Sequence, residues 1–78
     1  MRNIEEISHD VFYGMKKYSQ ITIDYVEEAE DFINGEEEDI VGLGAFLYDL
    51  NLLLEVINPA LENDIKVLRE IESILENL

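Results

Sequence analysis

The stretch Ile40–Ile57, IVGLGAFLYDLNLLLEVI, decides how this chain is read. Stepped at about 100° per residue, it places Leu43, Phe46, Leu47, Leu50, Leu53, Leu54 and Ile57 on one broad helical face. Val41, Ala45, Tyr48, Leu52 and Val56 fall on a second, roughly opposite face. Only Asp49, Asn51 and Glu55 bring a charge or an amide into its body. A surface helix carries one apolar stripe, so a helix apolar on two sides is expected to be buried. The rest of the chain should be arranged around it.

Working outward, the punctuation marks further helices. Asn3 reads as an N-cap with Glu6 as its capping-box partner, and Glu5 suits the positive first turn. Apolar residues then recur at helical spacing through Ile4, Ile7, Val11, Met15, Tyr18, Thr22, Tyr25, Val26, Ala29, Phe32 and Ile33. One long helix over 3–33 is expected, with an interruption into two as the alternative. Gly14 and the β-branched run Ile21-Thr22-Ile23 place that interruption near 14–22. Asn34-Gly35 should end the segment in a left-handed C-terminal turn. Glu36, Glu37, Glu38 and Asp39 suit the start of the next helix, over 38–57. Asn58-Pro59 reads as an N-cap and first helical position, opening a last helix over 59–77. Its stripe is Leu61, Ile65, Leu68, Ile71, Leu75 and Leu78, widened by Val67 and Ile74. Lys66 and Arg69 are spaced to pair with Glu62 and Glu72. The expected fold is a single all-α domain over residues 1–78, an up-down-up bundle of three helices, or four if the first segment breaks.

A chain of 78 residues builds one small core, and such a core rarely supplies more than roughly 3–5 kcal/mol. Small domains commonly add a disulfide, a metal or a second copy. With no cysteine and one histidine, the first two are not expected here. The segment around Ile40–Ile57 also offers more apolar surface than two neighbouring helices need. A homodimer covering Val41, Ala45, Tyr48, Leu52 and Val56 is therefore expected. The rivals are a monomer whose long first helix wraps both faces, and a different protein on the spare face.

Nineteen acids against 5 bases give a net charge of −14. Such a surface repels nucleic acid and anionic lipid, and favours basic protein partners. The acidic N-terminus MRNIEEISHD lacks a continuous apolar run, so no signal peptide is expected. Ile40–Ile57 approaches the length of a short membrane span, but its polar residues and the lack of flanking bases argue against one. A cytoplasmic protein without direct nucleic-acid or membrane binding is expected.

Few residues suggest chemistry. Glu6 and His9 form E-x-x-H, a spacing found in carboxylate-bridged di-iron bundles, yet the helix over 38–57 offers only Glu55 as a further ligand. Gly42 and Gly44 form a lone G-x-G with no preceding strand, better explained by close approach of a neighbouring helix than by a phosphate loop. Lys16, Lys17 and Tyr18 make too small a basic spot for nucleic acid. One histidine and no cysteine leave no nucleophilic triad. The largest charge feature comprises Asp24, Glu27, Glu28, Glu30 and Asp31, continued by Glu36, Glu37, Glu38 and Asp39. It suits a solvated face, a basic docking site on another protein, or a mimic of the DNA phosphate array. Carboxylates three residues apart also suit Mg²⁺.

The segment Val26–Leu54, VEEAEDFINGEEEDIVGLGAFLYDLNLLL, resembles the core of MazG-type nucleotide pyrophosphohydrolases. Members of that family are all-helical oligomers that bind Mg²⁺ through E-x-x-E on one helix and E-x-x-D on the next. The resemblance implies Glu27 and Glu30 as the first ligand pair. The second pair is missing, because Gly42 and Ala45 stand at the aligned positions and neither binds metal. The residues therefore favour a small acidic protein-binding module of the inhibitor, antitoxin, anti-defence or chaperone type. No catalytic residue, metal or cofactor is assigned.

Overall fold

The computed structural model describes residues 3–14, 17–35, 40–57 and 61–78. Among them are four α-helices and no strand: α1 (Ile4–Tyr13), α2 (Gln20–Asn34), α3 (Ile40–Val56) and α4 (Glu62–Glu76). The expected single helix over 3–33 is thus two helices. At the end of α1 the Gly14 N–H donates to the Asp10 carbonyl at 2.8 Å, and the Lys17 N–H donates to the Gly14 carbonyl at 2.7 Å. The backbone is extended at Ser19 (φ −71°, ψ 157°), whose Oγ accepts from the Thr22 N–H at 3.3 Å. A serine that caps a new helix cannot also continue the old one, and this cap decides the break. Met15 lies outside the described residues.

Other ends follow the sequence in part. Asn3 caps α1 as expected, its Oδ1 accepting from the Glu6 N–H at 2.9 Å. Gly35 does not take the left-handed turn expected of it, being extended at φ −67° and ψ 140°. The caps expected at Asn58 and Pro59, and the acids Glu36, Glu37, Glu38 and Asp39, lie outside the described residues.

The core is drawn from all four helices: Ile4, Ile7 and Val11; Ile23, Val26 and Ala29; Phe46, Leu50 and Leu54; and Val67, Leu68, Ile71 and Leu75. Helix α4 packs against each of the other three, whereas the main helical neighbour of α3 is α4. Rings add a second hold on α3, with Phe46 5.1 Å from Tyr25 and 5.4 Å from Phe32 between centroids. The expectation that Ile40–Ile57 forms the buried centre is therefore corrected. The most central helix is α4, and α3 sits at the margin. Four short helices are too few to surround any one of them.

The radius of gyration, 11.9 Å, is close to the roughly 11.5 Å expected of a globular chain this long. No helix among the described residues is long and apolar enough to cross a membrane.

Candidate functional site: an uncovered helix face

The inner face of α3 behaves as its spacing predicts. Phe46, Leu50 and Leu54 are buried, and Leu43, Leu47, Leu53 and Ile57 pack half-buried against them. The outer face does not find cover. Val41 is 84% exposed, Tyr48 66%, Leu52 46% and Val56 78%, and Ala45 is exposed between them. The rival in which the first segment wraps both faces is thereby removed, since α1 and α2 leave this side open.

Gly44 adjoins that stripe. Close approach of a neighbouring helix was its expected reason, yet a Cβ placed on Gly44 would meet nothing within 4 Å. Glycine inside a helix is about 1 kcal/mol less favourable than alanine. Nothing within the described part of the chain offsets that cost.

The acidic set lies on α2. Asp24, Glu27, Glu28 and Asp31 recur at three- and four-residue spacing and are all exposed, while Glu30 lies to one side and is half-buried. Gln20 Nε2 donates to Asp24 Oδ1 at 2.9 Å. Asp31 stands in the last turn of α2, near its negative carbonyl end, where a carboxylate is disfavoured. The docking residues expected at Glu36, Glu37 and Glu38 lie outside the described residues.

Tyr25 is half-buried on α2, its ring 5.1 Å from that of Phe46 on α3. Its pKa is raised above the usual tyrosine value first by burial, then by the negative charges of Asp49 and Glu28.

Other chemistry is thin. The His9 side chain is 73% exposed, 3.9 Å from Asp10 and stacked on Tyr13. The depression bordered by His9, Tyr13, Lys17 and Tyr18 is open to solvent. No group of three or more His, Asp or Glu side chains among the described residues converges as a metal cage. Glu27 and Glu30 thus gain no further ligand from the described fold.

One functional-looking residue escaped the sequence reading. Asp64, in the first turn of α4, is 0% exposed. Its Oδ2 accepts from the Ser19 N–H and from Thr22 Oγ1, both at 2.9 Å. The signal was present: Leu61, Asp64, Leu68, Ile71 and Leu75 keep a three–four spacing, so Asp64 occupies a core position.

Comparison with known proteins finds no matching family model, no matching curated protein and no matching solved structure.

Proposed function

We propose that this chain is a small acidic protein-binding module that acts through the outer face of α3, with a second copy of itself on that face. The observation that carries this reading is the exposure of Val41, Ala45, Tyr48, Leu52 and Val56 together, on one side of a helix whose other side is core. Scattered exposed apolar residues are ordinary, but a continuous stripe of them is characteristic of an interface. The stripe itself carries no charge, which suits contact between two chains that are each strongly negative.

With α3 covered, the acids of α2 remain outside as the surface offered to a basic partner. Asp31 among them opposes the dipole of α2 at its carbonyl end.

Leu52→Glu tests the reading. It places a charge in the stripe without touching the buried residues Phe46, Leu50 and Leu54. Self-association measured by sedimentation should weaken at least tenfold, and capture of a partner that needs the assembled form should weaken with it, while helix content by circular dichroism stays within a few per cent. Unchanged assembly and unchanged capture would remove α3 as the working surface.

A further inference from the structure

Resting on that reading, we infer that two copies pair antiparallel along α3, each Tyr48 ring seated in a hole formed by Val41, Gly44, Ala45 and Tyr48 of the other. In helix pairs a side-chain knob fits a hole made by residues i, i+3, i+4 and i+7 of the facing helix. Those four positions on the outer face of α3 are Val41, Gly44, Ala45 and Tyr48. Two of them are the smallest residues available, and the space above Gly44 is open. The largest exposed side chain of the stripe, Tyr48, lies one turn from Gly44 and Ala45. Notch and knob on one surface are what a two-fold interface requires, because the same patch must be complementary to itself. A glycine that nothing in the described part of the chain explains thereby acquires a contact.

Charge selects the direction. Asp49 and Glu55 both lie in the C-terminal half of α3, and the N-terminal half carries Gly42 and Gly44. Parallel pairing would set Asp49 beside Asp49 and Glu55 beside Glu55. Antiparallel pairing sets Asp49 against the glycine-bearing half and carries Glu55 past Ile40 of the second copy. It also levels Val41 with Leu52 of the second copy and opposes the two helix dipoles. Helix α3 has 17 residues and is about 25 Å long, so the seam falls short of a standard interface of roughly 1,600 Å². Association should therefore be weak and concentration-dependent. Because each chain has a net charge of −14, it should tighten as NaCl screens their repulsion. A complex with a basic partner should show the opposite salt dependence.

The absence of native cysteine allows a direct test with the full chain. Sedimentation should show a dimer whose Kd falls several-fold between low salt and about 0.5 M NaCl. Gly44→Leu fills the hole in a place where the isolated chain has room, so helix content should hold while the Kd rises at least tenfold. Under mild oxidation, Val41→Cys mixed with Leu52→Cys should cross-link, and Val41→Cys alone should not. In the antiparallel pair the two Val41 positions are separated by about 16 Å along the axis, far beyond disulfide reach. Cross-linking of Val41→Cys with itself, or a dimer indifferent to Gly44→Leu, would overturn the pairing and leave α3 as a binding face. A chain that stays monomeric at millimolar concentration in high salt would overturn the pairing too. In that case, partner capture still lost in Leu52→Glu would keep the protein-binding reading, and capture unaffected would end both.

Discussion

Asp64 shows what one residue contributes here. Its side chain lies between the N-terminus of α2 and the first turn of its own helix, two places where free N–H groups favour an acceptor. It holds the Ser19 N–H and the Thr22 hydroxyl, and Thr22 is itself fully buried. Removing the acceptor takes the partner from the half-buried Ser19 N–H and leaves the Thr22 hydroxyl only Ser19 Oγ, 3.1 Å away, a loss of about 1–3 kcal/mol in all. Asp64→Ala should therefore destabilise the protein by about 1–3 kcal/mol, a large share of what a core this small supplies. Asp64→Asn, which keeps an oxygen in place, should cost about 1 kcal/mol. Urea denaturation followed by circular dichroism measures both, and a loss below about half a kcal/mol for the alanine variant would show that the clasp does not join α4 to α2. The sequence carried the two halves of this clasp 45 residues apart, Ser19 and Asp64. The three–four spacing of Asp64 with Leu61 and Leu68 is compatible with a core position, but only the packing of α4 against α2 showed which donors it meets.

At the scale of the element, α2 and α3 are each at odds with their own local rules. Helix α2 has neither an acid in its first turn nor a base in its last, and its acids gather toward the carbonyl end. Asp31→Lys would reverse that local conflict, placing a cation near the C-terminus and within three and four residues of Glu28 and Glu27. The variant should be more stable by about 0.5–1 kcal/mol while binding a basic partner more weakly. Thermal melts and partner titration read the two effects separately. Lower stability would show that Asp31 makes a contact the fold needs. Helix α3 is the converse, with an apolar face too many. Its inner face was legible from the spacing of Leu43 through Ile57, and those residues are buried or half-buried. That the outer face stays open was not, because periodicity reports which residues are apolar and not how many neighbours arrive to cover them.

For the whole molecule, the strongest influence outside the core is repulsion between like charges. Attractive pairs do exist, such as Arg69 with Glu72 at 3.4 Å, but the pair is surface-exposed on one side and worth little. With 19 acids and 5 bases, screening should relieve more repulsion than it removes attraction. The Tyr48→Ala variant, measured at a concentration where sedimentation shows a single chain, should thus melt a few degrees higher in about 0.5 M NaCl than in low salt. A lower melting temperature would show that attractive pairs outweigh the repulsion.

The sequence by itself determined that this chain is all-helical, where three of its apolar stripes lie, and that its surface is acidic. Those properties are local or compositional: helical periodicity, a cap residue such as Asn3, and a count of charges. Only the tertiary structure decided which helix is central and which face is spare. Ile40–Ile57 is the most apolar segment, yet α4 is the helix that packs closely against each of the others. Centrality depends on what packs where, a non-local property that hydrophobicity does not encode. With four short helices to share one core, the most apolar of them is left with a side that none of the other three reaches.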